Sequence, residues 1–178
     1  MKKHLTIVAS AAIWCFAACT SKPEGGLSAA AQKNLDANDS VAKCFETKNF
    51  SKLGDYIATD AVDHSGEHGD IKGLDSMKAA FEKEMAGVDN MKSDLVKALA
   101  DSDYVMAWYR FSGTWKKAEM GHKAGEPFDF KSLEVSRFKD GKAVEHWALM
   151  EPKDVMQMMS AMQPPAAPMA DTTKKKKK

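Results

Sequence analysis

The stretch "FDFKSLEVSRFKDGKAVEHW", residues 128 to 147, decides the fold. Its first part alternates with period two. Phe128, Phe130, Ser132, Glu134, Ser136 and Phe138 fall on one face, and Asp129, Lys131, Leu133, Val135 and Arg137 on the other, as in a strand whose two sides meet different surroundings. "KDGK" supplies a tight turn, and "AVEHWALM" returns antiparallel to the first strand. Upstream, "SDLVKALAD" and "SDYVMAWYRFSGTW" are rich in β-formers and are separated by a turn at Asp101 to Asp103, which extends the hairpin into a meander.

The half of the chain before residue 90 has a different period. From Ser28, a plausible N-cap, to about Lys48, Ala31, Leu35, Ala42 and Phe45 recur at near-helical intervals. "FSKLGDYIA" reads as a second, short helix leading into an extended piece, "TDAVDHS". "GLDSMKAAFEKEMAG" is a third helix, with Met77, Phe81 and Met85 spaced by four. Helices first and a meander afterwards predict an α+β fold, a strongly curved antiparallel sheet packed against three N-terminal helices.

These segments also carry a family resemblance. "YIATDAVDHS", the helix beginning "GLDSMKAAF", "YVMAWYRFSGT" and the hairpin "FDFKSLEVSRFKDGKAVEHW" together resemble the SnoaL-like branch of the NTF2-like superfamily, over about residues 30 to 160. The resemblance implies a cone-shaped fold with a mostly apolar pocket between sheet and helices. It implies no single reaction, because the superfamily spans isomerases, cyclases, hydrolases, ligand binders and transport adaptors. Its cyclases commonly place an aspartate, acting as base, soon after the tryptophan of the last strand. Here the segment reads "HWALMEP", with Ala148 and Leu149 in that region and Glu151 the first acid, which counts against cyclisation by the family mechanism.

The termini read as address and linker. "MKKHLTIVASAAIWCFAAC" has a basic start, a short apolar run and small residues before Cys19, the pattern of a secretory signal. "FAAC" resembles the lipobox of bacterial lipoproteins, which implies lipidation at Cys19 and a cell-envelope protein, on the periplasmic side of a membrane or at the cell surface. The expected layout is a signal peptide at 1 to 18, a tether at 19 to 27, one domain at 28 to 162 and a Lys-rich, disordered tail at 163 to 178. Cys15 lies in the signal, so Cys44 has no disulfide partner and reads as a small buried hydrophobe. The chain has 26 basic and 25 acidic residues, but Lys2, Lys3 and Lys174 to Lys178 lie in leader and tail, leaving 19 basic against 25 acidic and a net of −6 between 19 and 173. A nucleic-acid surface is not expected on that balance.

Alternation nominates the site. If Phe128, Phe130 and Phe138 face the core, Glu134 faces it with them, and a carboxylate taken from water must be paired or must shift its pKa. His146, across the hairpin, is its natural partner as an acid/base pair, provided that the His146 face rather than the Trp147 face of the last strand points inward. His64, at the end of the extended segment, is a third candidate at the mouth of the cone. Tyr109, Phe111, Phe128, Phe130 and Ser132 are expected to line the pocket. No cofactor is expected and no metal, since His64 and His68 are spaced i,i+4 on a loop. The expected function is binding of a small, largely hydrophobic molecule in the cone. The alternatives are an isomerase, cyclase or hydrolase using Glu134 and His146, and a structural module with no ligand. Met106, Trp108 and Arg110, facing away from the helices with Leu133 and Val135, predict a homodimer through the outer sheet face.

Overall fold

The computed structural model describes residues 26 to 118 and 122 to 162. The expected signal sequence, with Cys19, and the Lys-rich tail lie outside the described residues. In chain order the elements are α1 (Ala29–Thr47), a 3-10 turn (Phe50–Asp55), β1 (Ile57–Asp63), β2 (Ile71–Lys72), α2 (Leu74–Met85), β3 (Val88–Ala100), β4 (Tyr104–Trp115), β5 (Pro127–Lys139), β6 (Lys142–Met150) and α3 (Pro152–Met162). The strands form one sheet in the order β2-β1-β6-β5-β4-β3, giving the expected α+β architecture.

Helix α1 starts where Ser28, in extended conformation, accepts the Ala31 N–H with its hydroxyl at 3.1 Å, satisfying one of the amide donors a helix start leaves free. It stops at Lys48, which turns left-handed at φ 52° and returns its N–H to the last turn. The buried positions of α1 are Ala31, Asn34, Ala37, Asn38 and Cys44. Two asparagines therefore point into the protein, where the apolar residues alone place Leu35, Ala42 and Phe45; these last three pack at the edge of the core. Asn34 donates to the carbonyls of Asp101 and Ser102 at 3.3 and 2.9 Å, fastening the helix to the β3–β4 turn.

The long strands pair antiparallel as the alternation requires, with Tyr109 opposite Ser132 and Ala107 opposite Glu134. Asp140 and Gly141 both have positive φ, 54° and 80°, the combination that fits a hairpin's twist. The inner face of the sheet buries Val105, Ala107, Tyr109 and Phe138 against Leu53, Leu74, Met77 and Met85. At about 25 cal/mol per Å² of apolar surface, this burial is the main force closing the cone.

The structure corrects three details of the sequence reading. First, the sheet is mixed: β1 runs parallel to β6 and places Asp63 beside His146. Second, β6 does not alternate throughout. Phe138 pairs with Ala143 but Arg137 with Glu145, so Val144 is an extra residue in a β-bulge. Ala143 and His146 consequently both face inward, and Val144 does not share a simple alternating face with His146. Third, the chain after Pro152 forms α3. Proline suits a first helical position, and Asp154 accepts the Lys131 N–H at 3.2 Å just beyond the end of β6.

Candidate functional site

His146 is held by both ring nitrogens. Its Nδ1 lies 3.1 Å from Asp63 Oδ1 and its Nε2 lies 2.9 Å from Glu134 Oε2. Three strands build this chain of groups. β1 brings Asp63 by its parallel pairing, β6 brings His146 through the bulge, and β5 brings Glu134 two residues from Ser136, the direct partner of His146. Asp63 Oδ1 also accepts the Ser65 N–H at 2.8 Å.

The electrostatics follow from this geometry. Burial disfavours the charged imidazole, but the hydrogen bonds to Asp63 and Glu134, and then their charges, outweigh it and hold the His146 pKa up to about 9. Burial by itself would raise Asp63; the hydrogen bond and charge of His146, with the Ser65 N–H, bring it below the usual carboxylate range instead. At neutral pH His146 is therefore an imidazolium, and both of its N–H groups are already donated, one to Asp63 and one to Glu134. Among the described residues, one oxygen of Glu134 is engaged and the other is not. Glu84, an exposed residue of α2, has its carboxyl pKa raised, first by partial desolvation and then by the charges of Asp63 and Glu134.

The site reaches solvent through His146 and, less, through Glu134. The side chains of Asp63, Glu134 and His146 are 5%, 16% and 31% exposed, and Ala148, opposite Glu134, is exposed. Beyond Glu134 the inner face continues in rungs, Tyr109–Ser132–Met150 and then Phe111–Phe130, with Phe128 beyond. Phe111, Phe128, Phe130 and Met150 are half-buried, and Phe111–Phe130 and Phe128–Phe130 meet at 5.5 and 5.9 Å between ring centres. The result is an aromatic trough with a charged end. Two open grooves, of about 500 and 280 Å³, lie at the far end of β4–β5 and between α1 and β3; neither has Glu134 or His146 in its walls.

The structure thus brings Glu134 and His146 together and puts Tyr109, Phe111, Phe128, Phe130 and Ser132 on the same face. Tyr109 is more than lining, since its hydroxyl accepts from Asn38 and donates to Asp39 at 3.0 and 2.8 Å. His64 is elsewhere. It follows Asp63 along β1 and so points to the opposite side of the sheet, where its ring stacks on Trp147 at 4.8 Å and Nδ1 meets Asp70 at 3.0 Å. The inward alternative for Trp147 is excluded by the same alternation. Asp63 and Glu84 are the residues sequence reasoning did not assign; "DAVDHS" contained the former, but only the parallel pairing of β1 distinguishes it from its neighbours. Among the described residues no group of three or more His, Cys, Asp or Glu side chains is arranged to hold a metal ion.

Comparison with known proteins supports the architecture. The family model described as SnoaL-like polyketide cyclase matches residues 35 to 160. Among solved structures, IdmH from Streptomyces antibioticus is similar at 24% identity and TM-score 0.62, over 71% of this chain and 98% of its own. A SnoaL-like polyketide cyclase from Agrobacterium tumefaciens is similar at 15% identity and TM-score 0.60, over 71% and 97%. A SnoaL-like protein from Jannaschia sp. CCS1 reaches TM-score 0.67 at 13% identity, over 79% and 99%. No curated protein matches the sequence.

Proposed function

Because the chain belongs to the SnoaL-like polyketide cyclase family, we propose that its trough binds a small, largely hydrophobic molecule, and that the protein works as a ligand-binding domain held at a membrane by a lipid on Cys19. The observation that carries the binding reading is a charged group at one end of a half-exposed aromatic floor. The free oxygen of Glu134 orients the ligand's polar end while Phe111, Phe128, Phe130 and Met150 receive its apolar body.

Acid/base catalysis is the second reading, and one observation favours it: Glu134 is held through one oxygen by His146, and its side chain keeps some exposure to solvent. In that reading Glu134 is the base and His146 positions it. His146 is not the base, since at neutral pH it already carries both protons. The order of the two readings follows from "HWALMEP", which lacks the aspartate of the family's cyclases.

Native mass spectrometry of the domain purified from its own host tests the proposal. A co-purifying small molecule, lost in a Phe130→Glu variant, is the expected result; an empty domain with full-length processing would count against binding. For the anchor, Cys19→Ala should abolish lipid labelling and release the protein from membranes, and full retention through a carbonate wash would exclude it.

A further inference from the structure

The charged end of the trough offers acceptors and very few donors. The imidazolium of His146 donates one N–H to Asp63 and the other to Glu134, so neither is left for an incoming anion. What remains is the second oxygen of Glu134; Glu84, exposed on α2, stands near enough to feel the charges of Asp63 and Glu134. In the hydrogen bonds and ion pairs of the described residues, no lysine or arginine meets Asp63, Glu134 or Glu84. Even counting His146 as positive, the group is net negative.

A second, independent feature lies beside it. Ser132, 2% exposed, has a hydroxyl with no hydrogen-bond partner. It stands two residues from Glu134 on the same face of β5, between Glu134 and Phe130 and in the rung of Tyr109 and Met150. A buried hydroxyl without a partner costs roughly 1–3 kcal/mol, and such a group on the floor of a trough is satisfied when a ligand supplies the missing partner.

We infer that the trough takes an amphipathic amine, whose ammonium group is received by the free oxygen of Glu134 with Glu84 near by, whose adjacent polar atom meets Ser132, and whose apolar body lies on Phe111, Phe128 and Phe130. This rests on the binding reading above and specifies its ligand class. A carboxylate on the same skeleton meets the acceptor oxygen of Glu134, against which the Ser132 hydroxyl offers a single neutral donor. An alcohol can donate one neutral hydrogen bond, weaker than the charge-assisted one from an ammonium.

A matched series separates the possibilities: 2-(2-naphthyl)ethylamine, 2-(2-naphthyl)ethanol and 2-naphthylacetate, titrated calorimetrically into the mature chain at pH 7 and low salt. The amine is expected to bind about tenfold or more tighter than the alcohol, from one charge-assisted hydrogen bond, with the carboxylate weakest. Glu134→Gln should remove that preference while the alcohol is little changed. Because Glu134→Gln also withdraws a charge from His146, Glu84→Gln serves as the variant that leaves the Asp63–His146–Glu134 chain intact; it should weaken the amine at least twofold and leave the alcohol unchanged. Equal binding of amine and alcohol, a preference for the carboxylate, or an amine affinity untouched by either variant overturns the amine inference and leaves ligand binding standing. Failure of all three probes to bind overturns the binding reading for this skeleton size and the inference with it.

Discussion

At the scale of single residues, His146 sets the chemistry and also couples stability to pH. Its folded pKa is about 9, above the unfolded value near 6.5. A raised pKa contributes stability that is fully present below the unfolded value and is lost as pH climbs through the folded one. The depressed Asp63 acts in the opposite direction, contributing above its unfolded value and losing that contribution as pH falls through the lower folded one. Thermal unfolding of the domain should therefore show a plateau between about pH 4 and 6.5 and a decline toward pH 9. In His146→Leu the alkaline decline should disappear, and stability at pH 6 should drop by about 3 kcal/mol because two carboxylates lose their shared cation. A variant that keeps the wild-type alkaline slope would show that another group is responsible.

At the scale of elements, the inward face of α1 is a polar seam. Asn34 reaches the β3–β4 turn, and Asn38 holds the Tyr109 hydroxyl and lies 3.5 Å from the hydroxyl of Ser136. Truncating Asn34 to Ala leaves the carbonyls of Asp101 and Ser102 without that donor and should cost about 1–2 kcal/mol in chemical denaturation; an exposed neighbour, Asp36→Ala, should change stability by less than about 0.5 kcal/mol. Equal effects would mean that the seam fixes nothing. The same element shows where sequence patterning stops. Period-two alternation placed Glu134 inward on β5 because that strand is regular, and the Asp140-Gly141 turn fixed its partner. It could not fix α1's inner face, whose buried residues include two asparagines that hydropathy assigns to solvent. Nor could it reveal Asp63, since that assignment depends on a parallel pairing between strands more than 80 residues apart, or the bulge at Val144, which shifts the alternation by one residue between Ala143 and His146. His64, expected at the mouth of the cone, lies against Trp147 on the outer side, and a turn histidine next to a strand carries no periodicity of its own that would show it.

At the scale of the whole molecule, the outer sheet face bears on assembly. Register aligns Leu99, Met106, Val135 and Trp147 in one row across β3, β4, β5 and β6, and Trp108, Leu133 and Leu149 in the next. Leu99, Met106 and Leu149 are 66%, 44% and 57% exposed, so this is a contiguous apolar patch and not scattered residues. Charged groups flank it in pairs, Arg110 with Asp129 and Arg137 with Glu145, while Lys131 lies over the Trp108 ring at 4.8 Å. An apolar centre with aromatic, Met and Arg residues and a charged border has the composition of a protein interface. A face of this kind can meet its own copy about a twofold axis, which is the basis for proposing a homodimer. Sedimentation of the chain lacking residues 1 to 26 should give a dimer at tens of micromolar. Trp108→Glu should convert it to monomer, because each protomer would bury an unpaired carboxylate at the centre, without altering the far-ultraviolet circular dichroism. Leu149→Glu, in the same row but on β6, should do the same. A monomer in the wild type at that concentration, or a dimer indifferent to both substitutions, would exclude pairing through this face.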